Sequence, residues 1–265
     1  MNLPKTVLAK RLGLARSTLY YKSKKKGADE DARTFIEEVM ISNPAYGHKR
    51  IAIELGWNKK KVLRLMKKFG LKPRLRRGQK WQKKGDIGLK PASYENLVKN
   101  WCPVAPDVVW FADFTYLKIR ESFLYLSTVI DGHTKEILGF AISKRHNRKL
   151  VLEATREAVN FRKKLPQIFH SDQGSEYQSE EHLKLLENMG VCVSMSEKSS
   201  PWQNGHQESF YSQFKLELGK LDHLSCGEIV EKIYQQIYYY NHLRIHTILK
   251  MSPRKYYLNH MNKGV

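Results

Sequence analysis

The 265-residue chain carries 47 Lys plus Arg against 26 Asp plus Glu, a net charge of +21, with 41% apolar and 28% charged residues. That length allows about two domains, and no apolar run approaches the roughly 20 residues that span a bilayer, nor does the N-terminus hold a signal-peptide core, so neither a membrane span nor a secretory leader is expected. Three cysteines, Cys102, Cys192 and Cys226, are odd in number, far apart and without a C-x-x-C pair, which argues against a disulfide framework or a zinc finger and for a reduced, cytosolic setting.

The positive charge is concentrated in front. Residues 1–100 hold 26 basic and 8 acidic side chains, a net of +18, which leaves +3 for the other 165. Such a field releases counterions from phosphates and gives salt-sensitive, largely sequence-independent affinity. An anionic membrane surface is the rival partner, but no segment combines a clean apolar face with a basic one. The expected partner is therefore nucleic acid.

Residues 1–25 outline a helix-turn-helix half. VLAKRLGLARSTLYYK places Leu8, Leu12 and Gly13 before Ser17, which is positioned to cap a second helix bearing Leu19 and Tyr20. About twenty residues bury little core unaided, so the piece reads either as a DNA reader or as a helical pair packed on a partner subunit. Residues 30–71 form a better DNA-binding module. In NPAYGHKRIAIELGWNKKKVLRLMKKFGLKPR, Ile51, Ile53 and Leu55 belong to one short helix, Gly56 breaks it, Asn58 caps the next, and Val62, Leu65, Met66 and Phe69 form a buried stripe. The opposite face carries Lys59, Lys60, Arg64, Lys67 and Lys68, suited to phosphates, with Arg64 a candidate for a guanine edge. Residues 72–104 change to a basic linker. It is either a mere tether or a segment that orders along a DNA backbone through Arg74, Arg76, Arg77 and Lys80.

The core, residues 105–222, reads strand, strand, strand, helix, strand, helix, strand, helix. VVWFADFTYLKI is rich in β-branched and aromatic residues and reads as a mostly buried strand holding Asp113. FLYLSTVIDG and EILGFAIS follow as hairpin strands, with Asp131 and Gly132 in the turn and Glu136 beside it. LVLEATREAVNFRKKL is a helix, then Asp172 stands where a short strand opens into a loop, then EEHLKLLENMG is a helix and VCVSMSE a strand. SEKSSPWQNG reads as a mobile loop that orders near DNA, where Trp202 can wedge or stack. Glu208 opens the helix NGHQESFYSQFKLELGKL, whose Phe210, Phe214 and Leu218 recur on one face. Three hairpin strands followed by alternating helices and strands imply a mixed α/β sheet covered by helices, with the tips of the first and fourth strands close together. Residues 223–265 form a C-terminal helical extension.

Asp113, Asp172 and Glu208, the last two separated by 35 residues, are the chemical core of the sequence. An unpaired buried aspartate is costly and neutralises unless it meets a cation or a set of donors. Magnesium takes hard oxygen ligands, and two ions roughly 3.5–4 Å apart stabilise the attacking and leaving oxygens of an in-line phosphoryl displacement. The array points to phosphodiester chemistry.

The DFTY strand, HSDQGSEY, WQNGHQES with its 35-residue gap and the tail YNHLRIHTILKMSP occur in one order, and over residues 105–258 they resemble the DDE transposases of the insertion-sequence-three family, whose core is similar to retroviral integrases. The resemblance implies a ribonuclease-H-like fold with a five-stranded mixed sheet, behind small all-α helix-turn-helix segments. It implies a DNA transposase that nicks element ends and joins the 3′-hydroxyl to target DNA. Asp113, Asp172 and Glu208 would be its ligands for two Mg2+ or Mn2+ ions. Lys215, seven residues after Glu208 and on one helical face with it, matches the family's basic residue and reads as a DNA contact or a solvated lysine. Partners implied are terminal and target DNA, a second copy at least, and an upstream-frame protein or fusion. The histidines begin at His48, so the zinc module of retroviral integrases is not expected. A nuclease on the same fold that never joins strands, and a non-catalytic DNA-binding regulator, are the alternatives. His170 reads as a structural histidine or an assistant to the site; Tyr238, Tyr239, Tyr240 and Arg244 read as DNA contacts or core.

Overall fold

The computed structural model describes residues 4–20, 25–74, 94–99, 101–120, 122–196 and 205–262, and the chain divides into two units, Met1–Pro73 and Arg74–Val265. The first unit is helical: α1 (Lys5–Arg11), α2 (Arg16–Tyr20), α3 (Lys25–Ser42), α4 (His48–Glu54) and α5 (Lys59–Lys68). Gly13 turns the chain between α1 and α2 at φ +62°, but α2 starts at Arg16, so Ser17 lies inside its first turn and does not cap it. At α5 the expected cap is present: the Asn58 side chain accepts from the Lys60 N–H at 2.8 Å. Val62, Leu65 and Met66 are buried beneath α5 together with Ile51 of α4 and Ile36 of α3.

The sequence pattern gives no sign of α3, and this helix changes the reading of the basic face. Its Asp29 is only 6% exposed. It accepts two hydrogen bonds from Arg64, at 2.7 and 2.9 Å, and one from Lys68 at 2.7 Å. The hydrogen bonds from Arg64 first, and Lys68 second, hold its carboxyl well below the usual carboxylate range.

In the second unit β1 (Val109–Ile119), β2 (Ser122–Asp131) and β3 (Ile137–Ser143) form the antiparallel meander read from the sequence, and β4 (Ile168–Ser171) and β5 (Cys192–Met195) extend it in parallel. The strand order is β3-β2-β1-β4-β5. Because side chains alternate across a strand, each face of the sheet gets its own core. Trp110 and Ala112 of β1 pack with Leu150, Val151, Ala154 and Ala158 of α6 (Arg148–Arg162) and Leu186 of α7 (Glu180–Asn188). Leu117, Leu124 and Leu126 pack against Phe210, Phe214 and Leu218 of α8 (Gly205–Leu218) and Ile229, Ile233 and Ile237 of α9 (Cys226–His242). The i, i+4, i+8 stripe of α8 is the buried one. α6 crosses β3 so closely that a Cβ on Gly139 would lie 2.3 Å from the Ala154 carbonyl oxygen, which leaves room for glycine alone.

Asp131 and Glu136, read as turn residues, do flank the β2–β3 turn but are fully buried. Asp131 accepts from the Thr134 N–H at 2.6 Å, the Thr134 hydroxyl at 2.8 Å and the Asp107 N–H at 2.7 Å. Glu136 pairs with Arg162 at 2.9 Å, and Arg162 also reaches Asp107 at 2.7 Å. Their inward turn follows from these donors, since buried carboxylates persist only where they are paired. Asn241 of α9 binds both backbone groups of Ile137, at 2.8 and 2.9 Å, and so fastens α9 to the edge strand β3. α10 (Pro253–Met261) closes the described chain.

Candidate active site

The parallel register of β1 and β4 sets Val109 opposite Ile168, Trp110 opposite Phe169 and Phe111 opposite His170. Asp113 and Asp172 each follow two residues after the last of these pairs, Phe111 and His170. β4 ends at Ser171, so Asp172 stands where the strand gives way to a loop. Each carboxylate is oriented locally. Asp113 Oδ1 accepts from the Phe114 N–H at 2.8 Å, and Asp172 Oδ1 from the Gly174 N–H at 2.9 Å. Burial pushes the Asp172 carboxyl up; the Gly174 N–H opposes that shift, the Glu176 charge adds to it, and His146 opposes it.

Two buried phenols feel the charge of both aspartates. Tyr177 and Tyr211 are both raised well above the usual tyrosine range, by burial first and then by the negative charge of Asp113, and Asp172 adds to both.

α8 brings the third position. The Tyr211 hydroxyl donates to the Asp113 backbone carbonyl at 2.7 Å and meets the Thr128 hydroxyl at 2.8 Å, where Thr128 is the cross-strand partner of Asp113. Position 208 lies one turn before Tyr211 on that helical face. The side chains of residues 205–208 are outside the described set, and among the described residues no three His, Cys, Asp or Glu come together as a metal-binding group.

The DNA-contact candidates fall into three groups. Lys59, Lys60 and Lys67 are exposed on α5, whereas Arg64 and Lys68 are held by Asp29. Arg74 is exposed and Lys215 stands 4.8 Å over the Tyr116 ring. Arg76, Arg77, Lys80 and Trp202 lie outside the described residues. His170 is fully buried, joined to the Ser194 hydroxyl at 2.9 Å, and burial pushes it down to about 4, so its imidazole is neutral there. Arg244 is likewise internal, paired with Glu217 at 2.8 Å.

The sequence reading passes over Tyr177, Tyr211 and the His146–Glu176 pair at 3.1 Å. Tyr177 and Glu176 stand inside the HSDQGSEY island, and Tyr211 is three residues past Glu208. Their spacing is the available signal.

Residues 103–201 match one integrase core domain family and residues 189–253 a second. The transposase for insertion sequence element IS904 of Lactococcus lactis subsp. lactis (strain IL1403) is 34% identical over 205 residues, which cover 75% of this chain and 79% of that relative. The chain belongs to the DDE transposases of the insertion-sequence-three family. The transposase InsF for insertion sequence IS3A of Escherichia coli (strain K12) is 30% identical over 196 residues, 71% of this transposase and 67% of that relative. In fold, the transposase matches a chain of the simian T-cell lymphotropic virus intasome in complex with PP2A regulatory subunit B56 gamma, with a TM-score of 0.53 at 13% identity, covering 84% of this chain and 74% of that one. The sheet order and its helical layers are those of a ribonuclease-H-like integrase core. As a DDE enzyme the transposase is a polynucleotidyl transferase. No described helix is long and apolar enough to cross a membrane.

Proposed function

We infer that Asp113, Asp172 and Glu208 are the catalytic carboxylates with which this transposase nicks element ends and joins the freed 3′-hydroxyl to target DNA. What supports the reading is the register of β1 and β4, in which each aspartate follows two residues after the paired Phe111 and His170, together with the Tyr211 bond that fastens α8, the helix of position 208, to the Asp113 backbone. The donor set suits a divalent cation. Asp113 and Asp172 are both half-buried, burial pushes the Asp172 carboxyl up, and hard oxygen ligands are what magnesium or manganese takes. When bound, two such ions supply Lewis-acid activation of the attacking oxygen and charge neutralisation at the phosphate.

The protein's own residues hold the geometry. Phe114 and Gly174 N–H groups each fix one oxygen of an aspartate. The Tyr177 and Tyr211 phenols, buried near the aspartates, stay protonated. No covalent protein intermediate is needed, since water or a 3′-hydroxyl attacks directly. Lys59, Lys60 and Lys67 of α5 provide phosphate contacts in the first unit, and joining two DNA ends requires at least a dimer.

The test uses labelled DNA carrying the sequences that flank the gene. Asp113→Asn, Asp172→Asn and Glu208→Gln should each lose cleavage and strand joining by a thousandfold or more, on the order expected for the loss of charge stabilisation at a transferring phosphoryl group, with DNA binding retained. Glu208→Gln cutting at the normal rate would overturn the assignment. A pre-nicked end that is never joined would mark the enzyme as a nuclease.

A further inference from the structure

Past Asp113, the even-numbered side chains of β1 pass from buried to exposed: Trp110 and Ala112 are buried, while Tyr116 and Lys118 face solvent. Tyr116 is 59% exposed and Phe123, across the hairpin, 44%, and their rings meet edge to face at 5.5 Å. From this pair a row of rings runs back along the face of β1 opposite to the Asp113 side chain, toward the loop that follows Asp172. Tyr125 is the cross-strand partner of Tyr116, its ring lies 5.1 Å from His146, and His146 lies 4.3 Å from Phe114, the neighbour of Asp113. His146 also pairs with Glu176 in the loop that follows Asp172. The row ends against both segments that carry the acids.

Cations flank it. Lys118, Arg120, Lys215 and Lys220 line, with Tyr116, a cleft of about 550 Å³, and Lys144 lines, with Phe123 and Tyr125, an adjoining one of about 570 Å³. Asp222 brings the only carboxylate to these linings among the described residues, and it accepts from the Arg120 N–H at 3.2 Å. Exposed rings alone would suit a protein contact, and cations alone a duplex backbone. Rings interleaved with cations along a groove are how unpaired strands are held, with bases stacked on the aromatic faces and phosphates along the basic rim. From Asp113 to Tyr116 and Lys118 is about 10–16 Å at 3.3 Å per residue, or roughly three to five nucleotide steps at 3.4 Å each.

We propose that the β1–β2 hairpin end is a platform for an unpaired DNA strand, its bases on Tyr116 and Phe123 and its phosphates on Lys118, Arg120 and Lys220. The reading that the strand leads to the scissile phosphate rests on the catalytic assignment above; the binding surface itself does not.

Benzoylphenylalanine placed at Tyr116 of the intact chain should photo-crosslink to a short fluorescein-labelled oligothymidylate, and the same group at exposed Tyr234 should not. Unlabelled oligothymidylate should compete better than a duplex of equal length. Crosslinking should be equal in an Asp113→Asn background, which separates this surface from the catalytic reading. At salt that suppresses charge-only binding by the N-terminal unit, Tyr116→Ala should weaken oligothymidylate binding by about 5- to 150-fold, the loss of one stacked base, and Tyr116→Phe should restore it. A natively folded protein that fails to crosslink at position 116, or a Tyr116→Ala protein that binds like wild type, overturns the proposal. So does a Tyr116→Ala protein whose oligomeric state changes while its oligothymidylate binding does not, which would make the hairpin a contact between copies.

Discussion

Tyr211 donates its phenolic hydrogen to the backbone carbonyl of Asp113 at 2.7 Å, so the helix that brings position 208 is fastened to the strand that brings the first acid. The Tyr211 oxygen also meets the Thr128 hydroxyl, which leaves three buried polar groups dependent on one another. Tyr211→Phe keeps the ring and removes the tie. Stability should fall by about 1–3 kcal/mol, the cost of leaving a buried acceptor unmet, as read by urea denaturation. Turnover should fall about tenfold to a hundredfold with KM for DNA nearly unchanged, because α8 can then shift by a fraction of its hold on the site. A variant destabilised but fully active would show that Tyr211 only packs.

Asp29 gives the first unit an acid-sensitive lock. Its folded carboxyl is held below its ordinary value of 3.8 by Arg64 and Lys68. The lock therefore contributes in full above about pH 4 and is lost as the pH falls toward the depressed folded value. Asp29→Asn should flatten the acid limb of the thermal-melting profile of the intact chain. It should also release two cations from an internal carboxylate. The logarithmic salt dependence of duplex binding should steepen by up to about 1.8, at roughly 0.9 per added phosphate contact. An unchanged salt slope would mean that neither side chain reaches DNA once freed.

Arg162 is 6% exposed and is shared between Glu136 and Asp107, with its guanidinium 3.9 Å from the centre of the Tyr257 ring. Burial already pushes both carboxyls up despite Arg162. Arg162→Met removes the ion pair of Asp107 and leaves Glu136 with Arg254 alone, at 3.3 Å. Removing one partner of such a buried set costs about 3–5 kcal/mol, and the loss should be largest at high pH, where both acids are ionised in the folded and unfolded chains alike. Denaturant midpoints across pH are the measurement, and a pH-independent loss would assign the effect to packing on Tyr257.

What the sequence disclosed, and what it hid, divides by range. The strand run around Asp113, the loop after Asp172 and the α8 stripe of Phe210, Phe214 and Leu218 are local patterns, and each lies where its periodicity put it. Asn58 caps α5 for the same reason. The partners of Arg64 and Lys68 were hidden because Asp29 is 35 and 39 residues away. A basic helical face looks identical in sequence whether it meets phosphate or a carboxylate brought by another helix. Glu136 and Asp131 looked like turn acids because Arg162 and Arg254, which make the burial of Glu136 tolerable, come from α6 and α10. Likewise the tie between Asn241 and Ile137 spans 104 residues, with no local trace in either segment.

Asp172 carries the sharpest separation of stability from activity. Its burial raises the carboxyl, so in the metal-free protein its ionised form opposes folding at neutral pH, and that penalty is relieved as the pH falls through its raised folded value. Asn retains an Oδ1 to accept the Gly174 N–H and removes the charge that burial and Glu176 both disfavour. Asp172→Asn should therefore melt at or above the wild-type temperature in chelator at pH 7, while losing cleavage altogether. Added magnesium should raise the melting temperature of the wild type and not that of the variant, because binding to the folded state alone stabilises it by mass action. A variant that melts lower in chelator would show that the carboxylate is held for the fold; one that still gains stability from magnesium would remove Asp172 from the cation site.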